Sequence, residues 1–200
     1  MRNLLAITLL TVVSFQAKAA LVTVEWSGVV TSSAVAGTVD IGDTITGSYS
    51  YDDSAYPSSS GPISTTYFTG HVSSFSVNGY SGSTTGNRVA IFNDYTNGDQ
   101  FDTRSSTSTA YTGDRFQGQS VKQIFVRFND STGTALSDLS LRSDLNSADF
   151  DFLEESRLDL QSSGSVNFLI TDFTMTAVPV PAAVWLFGSA LAGLGWMRRK

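Results

Sequence analysis

The chain has 200 residues, enough for one domain with a buried centre, and it carries 18 acidic against 12 basic side chains with no cysteine. The missing thiols exclude a disulfide framework, a thiolate nucleophile and a cysteine metal site. A single histidine, His71, excludes a multi-histidine metal centre within one chain and makes any Ser-His-acid triad depend on that one residue.

Residues 1–19 open with Arg2, continue with an apolar run from Leu4 to Phe15 and close on Ala17-Lys18-Ala19. Charged, apolar, then small is the order of a secretory signal peptide, and its apolar part is too short to be a main anchor. Cleavage is expected after Ala19 or Ala20.

From there the apolar residues alternate more often than they recur at helical spacing. Leu21 to Val30 places Val22, Val24 and Trp26 on one face, and Thr44 to Tyr51 does the same with Ile45, Gly47, Tyr49 and Tyr51. Val121 to Asn129 sets Ile124, Val126 and Phe128 opposite Phe125 and Arg127. Tyr67 to Val77, Arg88 to Tyr95, Phe150 to Phe152 with Arg157 to Leu160, and Ser165 to Ala177 bring the expectation to about seven or eight strands. That is an all-β, β-sandwich or jelly-roll-like domain over residues 20–177. In the last strand Val166, Phe168 and Ile170 share one parity and Phe173 and Met175 the other, so a bulge is predicted near Thr171 and Asp172. Gly42-Asp43, Asn78-Gly79, Asn97-Gly98 and Thr132-Gly133 are turn signals. Ser54 to Pro62 and Asp102 to Asp114 read as long loops, and Ala135 to Asn146 suits a helical turn with a strand as well as a packed loop.

The tail, residues 178–200, begins Val178-Pro179-Val180-Pro181 and ends Arg198-Arg199-Lys200. From Ala177 to Met197 run 21 residues without an ionisable side chain. At about 1.5 Å per residue a helix of that length covers a hydrocarbon core of about 30 Å. The prolines suit the start of a helix and not its middle, and the three cations favour the cytoplasmic side.

Proline pair, apolar span and basic end in this order resemble the PEP-CTERM sorting signal of Gram-negative bacteria, with Val180 where the name-giving Glu would stand. The resemblance implies an exported precursor held briefly in the inner membrane, processed beside Pro179 and Pro181 by an exosortase, and delivered to the cell surface or extracellular matrix. Within the ectodomain, Val24 to Val30, Gly42 to Ser54 and Gly133 to Leu141 are similar to an ectodomain type paired with such tails, most of whose members have no assigned activity.

Once both signals are removed, 7 cations face 18 acids, a net charge of −11 for residues 20–177. Such a surface repels phosphate backbones, so nucleic acid is not an expected partner. Glu154, Glu155, Asp149 and Asp151 form the densest acid group, which a glycosidase of sandwich fold would need; a solvated turn accounts for them more simply. Calcium is the one cofactor the acids suggest, with Asp40, Asp43, Asp52 and Asp53 as candidate ligands, Asp94, Asp99 and Asp102 as a second group, and turn capping by Asp as the alternative. Among the aromatics, Tyr56 and Tyr111 are least explained by a core, which keeps open a sugar-stacking platform. The expectation is a non-enzymatic surface or matrix protein linked to exopolysaccharide or biofilm, the alternatives being a carbohydrate-binding module and, after it, a glycosidase.

Overall fold

A computed structural model describes residues 20–69, 72–86, 88–96, 98–105, 111–162 and 164–179. The strands are β1 (Ala20–Ser33), β2 (Thr44–Asp52), β3 (Pro57–Ser60), β4 (Ser64–Phe68), β5 (Ser73–Val77), β6 (Tyr80–Thr84), β7 (Arg88–Tyr95), β8 (Gly98–Arg104), β9 (Thr112–Gly113), β10 (Val121–Asp130), β11 (Ser156–Leu160) and β12 (Ser165–Pro179). Only a short 3-10 turn, Ser147–Asp149, interrupts the β pattern among the described residues. All twelve strands join one open antiparallel sheet in the order β3-β4-β7-β8-β10-β11-β12-β1-β2-β5-β6-β9.

This sheet is folded over on itself. Tyr51 of β2 and Phe101 of β8 are five strand steps apart along the ladder, about 24 Å in a flat sheet, yet their ring centroids lie 5.9 Å apart. Phe128 of β10 sits at the centre of the contact, 6.3 Å from Tyr49, 6.4 Å from Phe101 and 4.2 Å from Phe173. Offset aromatic pairs of this kind each contribute about 0.5–1.5 kcal/mol beyond the area they bury. The alternation that predicted β1, β2 and β10 is the alternation of this buried face: Val22, Val24, Trp26, Ile45, Tyr49, Tyr51, Ile124, Val126 and Phe128 all lie in the core.

The bulge in β12 falls where the parity switch placed it. Ser27 pairs with Asp172 and Gly28 with Ile170, so Thr171 is left over and both apolar sets of the strand turn inward. Gly47, opposite Trp26, is the position that lets the indole lie flat on β2, since a Cβ there would stand 2.2 Å from the ring.

Other expectations are corrected. The strand count rises from seven or eight to twelve, because four-residue and two-residue edge pieces leave too few positions for an alternation to register. Tyr67 to Val77 is not one strand: β4 pairs with β7 and β5 with β2, on opposite halves of the sheet. Ser54 to Pro62 contains β3, an edge strand where Pro57 needs no amide partner. Asp102 to Arg104 belongs to β8, its polarity hidden from solvent by pairing with β10. Phe150 to Phe152 carries no ladder, and Phe152 adopts a φ of 53°. Ala135 to Asn146 is a packed loop: Leu136 and Leu145 are buried, Tyr67 Oη donates to the Leu139 carbonyl at 2.7 Å, and Tyr51 Oη donates to that of Arg142.

Candidate functional site

The predicted processing points converge at one end of the sheet. Ala20 is the register partner of Pro179, and Leu21 of Val178. Leu21 and Val178 are both exposed, an apolar pair near the start of β1 and the end of β12. The Ala20 amide donates to Asp53 Oδ1 at 2.7 Å, and the Asp53 amide donates back to the Ala20 carbonyl at 3.1 Å. Ala19, Val180, Pro181, the basic residues Arg198, Arg199 and Lys200, and the predicted membrane helix lie outside the described residues. Among the described residues no helix is long and apolar enough to cross a membrane.

The calcium candidates are separated and already engaged. Asp40 and Asp43 sit at the turn before β2 and Asp52 and Asp53 at its far end, nine residues and about 30 Å away. Asp40 Oδ1 accepts from the Gly37 amide at 2.7 Å, Asp43 Oδ2 from the Asp40 amide at 2.9 Å, and Asp52 Oδ1 from the Ser54 amide at 2.8 Å and its hydroxyl at 2.6 Å. These are aspartates closing turns through backbone amides. Of the second group, Asp99 accepts from the Asp94 and Leu136 amides, whereas Asp102 faces Arg127. Among the described residues no three or more His, Cys, Asp or Glu side chains gather where they could hold a metal ion.

Three of the acids of residues 149–155 likewise point to different partners. Asp151 accepts from Asn129 Nδ2 and the Ser131 amide, Glu154 from Arg127, and Glu155 from Thr31 Oγ1 at 2.5 Å and Asn167 Nδ2 at 3.2 Å. His71 lies outside the described residues. Of the two loop tyrosines, Tyr56 is 90 % exposed, and Tyr111 packs over Gly82 and donates to the Asp114 carbonyl.

Two features of the outer faces escaped the sequence. A shallow groove of about 490 Å³ runs over β12, β1, β2 and β5. Its floor is two ranks of cross-strand partners, Asp172-Ser27-Thr46-Ser76 and Thr174-Glu25-Ser48-Ser74, with Ser48 and Ser74 hydroxyls 2.9 Å apart. Polar residues at every second position signalled a wetted face, but only the register aligns them across four strands.

The second feature is ionic. Arg127 on β10 forks onto Asp102 of β8, Nε to Oδ1 and Nη2 to Oδ2 at 2.8 Å each, and donates from Nη1 to Glu154. Asp102 is fully buried, and burial pushes its carboxyl above the usual range despite the Arg127 hydrogen bonds and the charges of Arg127 and Arg104. The bidentate pair fixes β8 against β10. The Phe125 and Arg127 parity in the sequence pointed to this face without revealing which acid would meet it.

Comparison with curated proteins and with solved structures gives no match. Residues 177–200 match the family model described as the PEP-CTERM protein-sorting motif. The chain is therefore a protein carrying the PEP-CTERM sorting motif, and that motif implies exosortase-dependent sorting of an exported protein.

Proposed function

We propose that this chain is a non-enzymatic surface or extracellular-matrix protein, associated with exopolysaccharide, whose ectodomain is a sandwich-like folded-over sheet delivered by an exosortase. The observation that carries the reading is the pairing of Ala20 with Pro179. The first residue of the ectodomain and the start of the sorting motif lie side by side, so one end of the sheet faces the membrane and both outer faces stay clear of it. The non-enzymatic part draws support from Asp151, Glu154 and Glu155, whose side chains are spread over side-chain donors on β1, β10 and β12 and do not converge as a hydrolytic pair would. Calcium plays no part in this reading.

A carbohydrate-binding module is the second reading, favoured by the hydroxyl-lined groove over β12, β1, β2 and β5, whose donors and acceptors match those of sugars. The test is to express the full chain in its native host with and without the exosortase and to follow its mass and its partition between inner membrane and matrix. Shortening and matrix retention only with the exosortase are expected. Retention in the inner membrane at full mass in both hosts would overturn the reading, and hydrolysis of matrix polysaccharide by the purified protein would overturn its non-enzymatic part.

A further inference from the structure

We propose that the outer face of β7, β8, β10 and β11 binds a linear carboxylate-bearing polysaccharide laid across the strands; the assignment rests on the matrix-facing reading above. The carrying observation is a rank of side chains. Phe68, Arg88, Arg104, Phe125 and Arg157 are successive cross-strand partners on β4, β7, β8, β10 and β11. The guanidinium carbons of Arg104, Arg127 and Arg157 stand 4.5, 5.0 and 4.9 Å from the centroid of the Phe125 ring. Four of the seven cations of residues 20–177 are thus gathered on one face of a domain whose net charge is −11.

Their donors are unequally used. Arg127 is committed to Asp102 and Glu154. Arg157 gives Nε to Asp159 at 3.0 Å and keeps its terminal nitrogens. Arg104 only approaches Asp102, at 3.8 Å, and neither its side chain nor that of Arg88 makes a hydrogen bond among the described residues. The Arg104 and Arg157 side chains are 33 % and 42 % exposed, and Phe68 beside Arg88 is 66 % exposed. Burial first, and then the charges of Arg88, Arg127 and Arg157, lower the Arg104 pKa against the pull of Asp102. The fold holds mutually repelling cations together, and an added anion would relieve that repulsion.

The geometry also selects the kind of anion. Free guanidinium forks suit carboxylates held in bidentate fashion. Arg88 and Arg104 stand on neighbouring strands, about 4.7–4.9 Å apart, and Arg157 lies two strands beyond Arg104, across the Phe125 ring. Phe68 offers an apolar surface to a sugar ring at the end of the rank.

The test uses the full-length chain in detergent micelles, titrated with polygalacturonate, with its fully methyl-esterified form and with single-stranded DNA of matched length. Saturable binding to polygalacturonate that weakens with salt, and none to the ester, is expected. The double substitution Arg88→Gln with Arg104→Gln should weaken binding roughly tenfold or more, the scale of one or two hydrogen bonds to a charged group. Phe68→Ala, at an exposed position that folding does not depend on, should weaken it as well, and Arg115→Gln, the same charge change off the rank, should not. Unchanged affinity in the folded double variant, equal binding of the ester, or preference for DNA overturns the proposal. Polygalacturonate binding without matrix retention supports the site while the matrix reading falls; matrix retention without polygalacturonate binding overturns the site alone.

Discussion

Ala20 and Pro179 are neighbours across β1 and β12, although 158 residues separate them in the chain. The amide of Ala20 is held by Asp53 Oδ1. If the leader is removed after Ala19, that amide becomes an ammonium beside a carboxylate, and a neutral hydrogen bond becomes an ion pair. Asp53→Asn should therefore lower the stability of the processed protein by about 0.5–1 kcal/mol at low salt, and by less at high salt. Thermal melts at two ionic strengths check it; an unchanged melting temperature at low salt would sink the latch.

Deleting residues 178–200 should move the exported protein from the membrane fraction to the soluble one, since the tail holds all but the first residue of the 21-residue uncharged run. Replacing Pro179 and Pro181 by Ala should leave insertion intact but let helix propagate into the recognition segment, so that full-length precursor accumulates. Equal maturation rates of the proline variant and the wild type in the native host would argue for a plain anchor.

Removing Asp102 alone should be among the most damaging changes to the ectodomain. Asp102→Ala leaves Arg127 without its bidentate partner at a partly buried site, a loss of about 3–5 kcal/mol. Adding Arg127→Met should recover much of it, because two apolar groups no longer need pairing. A double-mutant cycle in urea measures the coupling; additive losses would contradict it.

Asp130 accepts hydrogen bonds from the amides of Thr132, Thr134 and Ala135 and from the Thr132 hydroxyl. Burial works to raise its pKa, but these donors outweigh it and hold the group at about 2, below the usual 3.8. Because the folded pKa is depressed, the unfolded chain binds more protons between about pH 4 and pH 2. The contribution, about 2 kcal/mol, is complete above the unfolded pKa and is lost as pH falls through the folded one. Asp130→Asn should flatten the acid limb of the stability profile in that window, which urea melts between pH 2 and 5 would reveal.

Tyr49 has a buried hydroxyl without a hydrogen-bond partner among the described residues, and burial raises its pKa. Tyr49→Phe removes an unsatisfied polar group while keeping the ring that packs on Tyr51 and Phe128. It should be neutral or stabilising by about 1 kcal/mol. A clear drop in the melting temperature would mean that the hydroxyl has a partner in solution.

What the sequence determined by itself was set by local pattern. Two-residue alternation marks β1, β2 and β10 because a half-buried strand must sort its side chains, and the parity switch at Thr171 and Asp172 announces a bulge because both apolar sets need the core. The tail declares its sorting motif through the order of prolines, apolar run and cations, which needs no fold to be read. Only the tertiary structure decided which strands are neighbours: that β4 and β5 part to opposite halves of the sheet, that Asp102 is a buried partner of Arg127 and no loop residue, that the candidate calcium aspartates stand at opposite ends of β2, and that Phe68, Arg88, Arg104, Phe125 and Arg157 form one rank. Strand register is fixed by contacts between residues tens of positions apart, and a polar side chain looks the same in a sequence whether water or a guanidinium satisfies it.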